Sequence, residues 1–172
     1  PLEPRLPERL MTPEKIIRCD TPEPLADLDR VRSHFAETSG DGLTLIGRRH
    51  VRDCNSWMHN FHRLVKGKDR CTLLMHPQDM DARGIEDGAL VEITSRVGAL
   101  QVTAAASEEM MPGVVSLPHG YGHTKDGIRM DTAVRHAGVN CNALTDDRLL
   151  DALSGNAALN SVPVTVQASA TG

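Results

Sequence analysis

The chain has 172 residues, which is enough for one domain with a sizeable core and leaves little for a second. Its 19 basic and 23 acidic residues give a net charge of −4, which argues against a general nucleic-acid-binding protein. No apolar run reaches the length of a membrane span, so we expect no membrane-spanning segment. The chain begins at Pro1 rather than at a methionine, and we therefore expect a fragment of a longer protein.

The N-terminal part, residues 1–42, is predicted to be a linker or arm with one helix at about residues 24–38. Residues 1–24 are rich in proline and charge and show no apolar period. From Pro24 onward, apolar side chains recur at the spacing of a helix, and a proline suits the first helical turn. The residues at this spacing are Leu25, Leu28, Val31 and Phe35.

From residue 43 the pattern changes to short apolar segments separated by glycine and proline turns. In the last segment Val162, Val164 and Val166 alternate with Pro163, Thr165 and Gln167, as in a half-buried strand. Pro77 is placed to open a short helix that Gly84 would close. Short strands with tight turns favour a closed β-barrel decorated with short helices. The predicted strands are residues 43–47, 71–75, 90–95, 99–106, 114–117 and 162–167.

Two segments, residues 48–70 and 118–142, are too long for ordinary turns between strands. Both are rich in His, Asn, Gly and Arg. Loops of this length in a compact domain are usually functional or disordered, and their hydrogen-bonding composition favours a functional role. Because they contain few apolar anchors, we expect both loops to open locally when no ligand is bound.

The cysteines and histidines indicate no metal centre. Cys19, Cys54, Cys71 and Cys141 form no CxxC pair, which argues against zinc and iron–sulfur sites. Scattered single cysteines are typical of free thiols in a reducing compartment, so we expect a cytoplasmic protein. His59 and His62 are three residues apart, but no third ligand follows at useful spacing.

Several sequence blocks occur in an order that resembles a known domain. They are residues 45–50 (LIGRRH), 55–60 (NSWMHN), 76–88 (HPQDMDARGIEDG), 112–119 (PGVVSLPH), 142–145 (NALT) and 159–164 (LNSVPV). In this order they resemble the molybdopterin-dinucleotide-binding domain that closes the large subunit of the DMSO-reductase family. That family of molybdopterin oxidoreductases includes formate dehydrogenases and nitrate reductases. The resemblance covers residues 43–167.

The resemblance implies a fold that agrees with the pattern of strands. We expect a mainly β protein in which residues 43–172 form a six-stranded double-psi β-barrel with short helices. The N-terminal arm and its helix would precede this barrel. The resemblance also implies the cofactor, bis(molybdopterin guanine dinucleotide), abbreviated bis-MGD, of which this domain would bind one guanine dinucleotide.

The chemistry of that cofactor suggests which residues would bind it. A pyrophosphate needs concentrated charged donors, which Arg48 and Arg49 could supply. Base edges alternate donors and acceptors, so side-chain amides suit them. Asn160 stands where related dehydrogenases and nitrate reductases often carry a lysine, so this position lacks that charge. The predicted cofactor-binding residues are Arg48, Arg49, His50, Asn55, Ser56, Trp57, Met58, His119, Gly120, Asn142 and Asn160.

The family's division of labour implies that this chain contains no catalytic residue and is inactive alone. Molybdenum or tungsten, and any iron–sulfur cluster, would be held by upstream domains. The expected partners are an electron-transfer subunit and the remaining domains of the same large subunit. The chain would position the cofactor, and the metal would carry out the chemistry.

Other interpretations remain open from the residues alone. Arg48 and Arg49 could be a solvated pair, and Met58 could fill the core. His123 and His136 are expected to be solvated or to face missing domains. A self-processing decarboxylase on the same barrel needs a Gly-Ser bond, which this chain lacks. The alternative function is therefore a stand-alone double-psi interaction module without cofactor.

Overall fold

The structure, a computed structural model, describes residues 2–37 and 42–169, without the side chains of residues 35–37. The chain divides into two compact units, Pro1–Gly40 and Asp41–Gly172. Each unit is described by itself. None of the described helices is long and apolar enough to cross a membrane.

The N-terminal unit contains two short helices where the sequence predicted one. Helix α1 spans Pro22–Ala26 and helix α2 spans Leu28–Glu37. The first helix begins two residues earlier than predicted because Pro22, rather than Pro24, occupies its first turn. At Asp27 the helical pattern is interrupted, and the Asp27 carboxylate accepts a hydrogen bond from Arg30 Nε at 2.7 Å. The predicted helix end at residue 38 lies outside the described residues.

The second unit is built around six strands that form a closed barrel, as the sequence predicted. Around the barrel the order is β1-β5-β2-β4-β3-β6. Strands β1 and β5 pair in parallel, as do β2 and β4, while the other neighbouring pairs are antiparallel. The strands are β1 (Leu43–Arg48), β2 (Leu73–Met75), β3 (Leu90–Thr94), β4 (Ala99–Ala106), β5 (Val114–Pro118) and β6 (Val162–Ala168).

The barrel core is aliphatic, as expected for a chain with few aromatic residues. In β6 the three valines predicted to face inward are at most 6% exposed, while Pro163, Thr165 and Gln167 are exposed. This alternation follows from the period of two along a strand. The side chains of Leu73, Met75, Val91, Ile93 and Leu117 are completely buried. Burial of this apolar surface is the main stabilising contribution to the barrel.

Short helices cover the barrel at turns between strands. Helix α4 spans Pro77–Asp81, and His76 caps it by accepting a hydrogen bond from Gln78 N at 3.1 Å. This confirms Pro77 as the opening residue of a short helix. A 3₁₀ helix spans Cys141–Leu144 and buries Leu144. The remaining helices are α3 (His62–Val65) and α5 (Asp131–Arg135).

The two long loops leave the barrel side by side. The first long loop (residues 49–70) follows β1, and the second long loop (residues 119–142) follows β5. Because β1 and β5 are parallel neighbours, with Arg48 opposite Pro118, both loops begin at the same end of the barrel. His119 N also donates to Arg48 O at 3.1 Å. This topology places residues from distant parts of the sequence at one edge.

Candidate functional site

A groove of about 220 Å³ opens where β1 and β5 end. Its apolar wall is formed by Leu45, Ile46, Leu117 and Leu159. Its polar lining comes from three separate parts of the chain: the end of β1, the second long loop with the 3₁₀ helix, and the segment before β6. The residues of this lining are Gly47, Arg49, His119, Cys141, Asn142, Thr145 and Asn160. We call this feature the groove.

Asn160 is held against the end of β1 by its own side chain. Gly47 N donates to Asn160 Oδ1 at 2.7 Å, which spans 113 residues of sequence. A Cβ at Gly47 would lie 3.4 Å from the same oxygen, at ordinary van der Waals distance. Since the oxygen is used in this way, the amide NH₂ of Asn160 is the group that can donate to a ligand.

Asn142 is presented by a local capping arrangement. Asn142 N donates to Asn140 Oδ1 at 3.1 Å, and Thr145 Oγ1 donates to Asn142 O at 2.8 Å. Both backbone groups of Asn142 are therefore satisfied locally, while the residue is exposed and lines the groove. The neighbouring Cys141 thiol is buried, and this burial raises its pKa, which keeps it protonated and unreactive.

Arg49 supplies a positive charge at the rim of the groove. Its guanidinium donates to Asn55 Oδ1, which joins the start of the first long loop to its middle. Burial lowers the pKa of His119, and the charge of Arg49 lowers it further. The His119 ring is thus neutral at neutral pH and can serve as both donor and acceptor.

Arg48 has a different position from its neighbour Arg49. Its guanidinium is partly buried and donates to Ser116 O, to Arg70 O at 3.0 Å and to Thr72 O at 2.6 Å. Arg48 therefore ties β1 to β5 and to the chain before β2, and it does not line the groove. The interpretation of Arg48 as a solvated surface residue is wrong. Strand alternation separates Arg48 from the core-facing residues 43 and 45, but its bonds to the carbonyls of distant residues could not be predicted from this pattern.

The other predicted residues are distributed around this end of the barrel. His50 is exposed and lines a neighbouring pocket, with Nδ1 accepting from Arg52 N at 3.1 Å. Gly120, with φ +97°, packs so closely that its Cβ would lie 1.9 Å from Asn55 O and 3.2 Å from Ser56 N. Ser56 is thus part of the contact between loops. Trp57 is 78% exposed, Met58 is half-buried, and neither lines the groove.

A buried polar cluster joins the two long loops and was not predicted from the sequence. The first loop contributes Asp53, His59 and Arg70, and the second contributes Tyr121 and His123. Arg70 Nη2 donates to Asp53 Oδ1 at 2.7 Å, and His59 Nδ1 lies 2.8 Å from His123 Nε2. His123 is 7% exposed, so the expectation that it is solvated is wrong. The expectation that both loops open locally when no ligand is bound stays a prediction.

The described residues offer no metal site. Within residues 2–37 and 42–169, no group of three or more His, Cys, Asp or Glu side chains is placed to hold a metal ion. The groove instead combines a guanidinium, two carboxamides, a neutral imidazole and a hydroxyl above an apolar wall. This donor set fits the phosphate and the flat heterocycle of a nucleotide.

Comparison with known proteins agrees with this chemistry. Residues 43–163 match the family described as the Molydopterin dinucleotide binding domain. The chain belongs to this family. The matched range covers strands β1 to β5 and the start of β6, and it includes every residue of the groove.

The relatives of this dinucleotide-binding domain are much longer proteins. A subunit of the tetrathionate reductase of Salmonella typhimurium is 29% identical over 61% of this chain and 12% of its own length. Dimethyl sulfoxide reductase DmsA of Escherichia coli is 32% identical over 54% of the chain and 11% of its own. The molybdopterin-containing ArrA subunit of Chrysiogenes arsenatis arsenate respiratory reductase is 35% identical over 44% and 9%. The chain therefore corresponds to a small part of each relative.

A solved structure supports the fold of the domain. Acetylene hydratase from Pelobacter acetylenicus matches 84% of this chain and 20% of its own chain, with a TM-score of 0.63 and 17% identity. At this identity the likeness concerns the fold alone. The barrel is a double-psi β-barrel, as the sequence predicted.

Proposed function

We propose that this chain is the part of a molybdenum or tungsten oxidoreductase that holds one guanine dinucleotide of bis-MGD. The observation that carries the proposal is the groove, which gathers Arg49, His119, Asn142 and Asn160 from sequence positions up to 111 residues apart. These polar side chains lie beside an apolar wall, and they do not hydrogen-bond to one another.

Each group in the groove has a role that follows from its chemistry. Arg49 would neutralise the pyrophosphate through charge-assisted hydrogen bonds. Asn142 would recognise the edge of a base, because an amide both donates and accepts, and Asn160 would add a donor through its NH₂ group. The groove, at about 220 Å³, is smaller than a typical pocket for a whole drug-sized ligand. It therefore suits one end of a dinucleotide, with the rest of the cofactor extending beyond it.

The chain would bind and orient, and it would not catalyse. When bound, the metal of the cofactor supplies the redox chemistry. We propose that the remaining domains of the same large subunit hold this metal and any iron–sulfur cluster, and that an electron-transfer subunit completes the enzyme. On this proposal the isolated chain is inactive. The four cysteines are free thiols, which suits the reducing cytoplasm as its compartment.

The proposal is tested with GDP-mannose, which carries a guanine and a fully esterified pyrophosphate as the dinucleotide does. The affinity of the chain is measured by calorimetry for wild type and for Arg49→Ala. We expect the substitution to weaken binding about tenfold to a hundredfold, since a charged hydrogen bond contributes roughly 1.5–3 kcal/mol. Arg52→Ala is the matched control, because Arg52 is an exposed arginine of the same loop that does not line the groove.

Two outcomes would contradict the proposal. One is the absence of GDP-mannose binding by the wild-type chain. The other is equal weakening by Arg49→Ala and Arg52→Ala, which would indicate non-specific attraction to the basic first loop. In the full-length parent, Arg49→Ala should also lower the molybdenum or tungsten content and the pterin content at equal protein yield.

A second candidate function is an interaction module without cofactor. The observation that favours it is the exposure of Val51, Trp57 and Phe61 in the first long loop, at 92%, 78% and 59%. Exposed aromatic residues are typical of protein interfaces. Under this alternative, Trp57→Ala would abolish binding to a partner protein, while Arg49→Ala would leave that binding unchanged.

A further inference from the structure

The buried polar cluster contains a pair of histidines that joins the two long loops. His59 is 1% exposed and His123 is 7% exposed, although they lie 64 residues apart in sequence. His59 Nδ1 lies 2.8 Å from His123 Nε2, and the two rings meet edge to face. Tyr121 also packs against His59, with ring centroids 4.3 Å apart. We call these two residues the His59–His123 pair.

The hydrogen bond of this pair requires at least one neutral ring. One nitrogen must donate while the other accepts, whereas two protonated rings would present two donors to each other. Burial lowers the pKa of both histidines. Asp53 Oδ1 lies 3.4 Å from His59 Nε2, and its negative charge acts to raise the pKa of His59. The Asp53 carboxylate is already paired with Arg70, however. The cluster therefore favours the neutral form of the pair at neutral pH.

The pair lies close in sequence to residues that shape the groove. Gly120, three residues before His123, packs against the Asn55 carbonyl, four residues before His59. Asn55 accepts from Arg49. His119, next to Gly120, lines the groove together with Arg49. Arg49 belongs to the first loop and His119 to the second, so a shift of one loop against the other would change the distance between them.

We propose that the hydrogen-bonded His59–His123 pair is a positioning device that keeps the groove competent to bind its anionic ligand, and that protonation of both rings releases it. This inference rests on the proposed function of the groove. His59 and His123 are positioning residues because they act through Asn55 and Gly120 and do not line the groove. The groups that face the pair are Asp53 and Arg70 from the first loop and Tyr121 from the second.

The pH dependence of ligand affinity distinguishes this proposal from simple electrostatics. Protonation of His119 alone would add positive charge to the groove and strengthen the binding of an anion as the pH falls. Loss of the hydrogen bond between His59 and His123 would instead weaken the binding of the anion as the pH falls. We therefore expect the affinity for GDP-mannose to fall about tenfold between pH 7 and pH 5, on the scale of one lost buried hydrogen bond. GDP-mannose is chosen because its pyrophosphate is fully esterified.

Two substitutions of His123 separate the hydrogen bond from its titration. His123→Gln places an amide near the position of Nε2 and does not titrate, so it should bind within about threefold of wild type at pH 7, and the fall in affinity toward pH 5 should disappear. His123→Leu removes the bond and should bind about tenfold more weakly already at pH 7. His136→Gln, an exposed histidine of the same loop, is the control and should behave as wild type.

Nuclear magnetic resonance of the unliganded wild-type chain provides a second measurement that needs no variant. The ring nitrogens of His59 and His123 should titrate together, and the amides of Asn55 and Gly120 should shift with the same midpoint. The proposal is overturned if those amides stay unchanged while the rings titrate, or if wild-type affinity stays constant or rises toward pH 5. If wild type fails to bind GDP-mannose at all, the proposed function fails, and the amide titration still decides this inference.

Discussion

The same two loops build both the groove and the buried polar cluster, yet the two regions use polar side chains in opposite ways. In the groove, Arg49 and Asn142 are exposed and keep hydrogen-bonding capacity for a ligand. In the cluster, Asp53, Arg70 and the His59–His123 pair are directed at one another. Polar residues in a loop therefore do not identify a binding site by themselves. What distinguishes the two regions is burial: the cluster's polar groups face one another inside the protein, although His59 Nε2 and Arg70 Nε remain without a hydrogen bond, whereas Arg49 and Asn142 are exposed.

The largest effect is expected from replacing Gly120, the glycine at which the two loops touch. Gly120→Ala should cost more than about 3 kcal/mol of stability, because a Cβ would lie 1.9 Å from Asn55 O and φ is +97°. Gly127→Ala in the same loop is the matched control, since φ is +87° there but no atom lies within 4 Å of the added Cβ. It should cost only about 1–2 kcal/mol. Urea unfolding measures both, and equal losses would show that the loops do not pack as described.

The neighbouring arginines give the next largest contrast. Arg48→Ala should lower the free energy of unfolding by about 2–3 kcal/mol, because it removes the donors to the carbonyls of Ser116, Arg70 and Thr72. Arg49→Ala should change it by less than about 0.5 kcal/mol, as expected for an exposed side chain. Denaturant titration checks both values. A stable Arg48→Ala variant would contradict the internal role of Arg48.

These arginines also show how much the sequence could predict. The strands could be predicted from the sequence because alternation and turn glycines are local signals. Strand β4, for example, has the predicted bounds of Ala99–Ala106. Strand β2 is shorter than predicted because Cys71 N bonds to Asp69 Oδ1 rather than to a neighbouring strand. From the sequence alone, Arg48 and Arg49 are equivalent candidates for binding a phosphate. Only the structure shows that they lie on different sides of the chain and that Arg49 lines the groove.

The site could be predicted in part for a similar reason. The groove residues Arg49, His119, Asn142 and Asn160 were among the candidates, because their types suit a dinucleotide and their blocks resemble the family. Thr145 was missed, although it closes one of those blocks. The His59–His123 pair was missed because no local pattern connects positions 64 residues apart. Long-range contacts of this kind depend on the parallel pairing of β1 and β5.

A smaller effect concerns the pH dependence of stability. The pKa values of His59 and His123 are lowered in the folded chain by burial. Their contribution is therefore fully present above the ordinary histidine pKa of about 6.5 and is lost as the pH falls through the lowered values. Urea unfolding at pH 7.5 and 5.5 should show lower stability at the acidic pH, with a shallower dependence in His123→Gln. If wild type and His123→Gln lost the same free energy of unfolding between pH 7.5 and pH 5.5, this account of the cluster would be contradicted.

The smallest expected effect is at Trp57, which belongs to neither region. Because its side chain is 78% exposed, Trp57→Ala should change stability by less than about 0.5 kcal/mol. Its affinity for GDP-mannose should equal that of wild type. Thermal unfolding and calorimetry provide the two values. A large loss of GDP-mannose affinity would place the ligand on the outer face of the first loop instead of in the groove.

The central claim, that the groove holds the nucleotide end of the cofactor, is tested most directly by mapping GDP-mannose on the wild-type chain. Amide chemical shifts are followed during a titration at pH 7. The account predicts saturable shifts at Gly47, His119, Asn142 and Asn160, which line the groove, with smaller changes at Asp53 in the cluster. Shifts confined to Trp57 and Phe61, or no shifts at all, would contradict it.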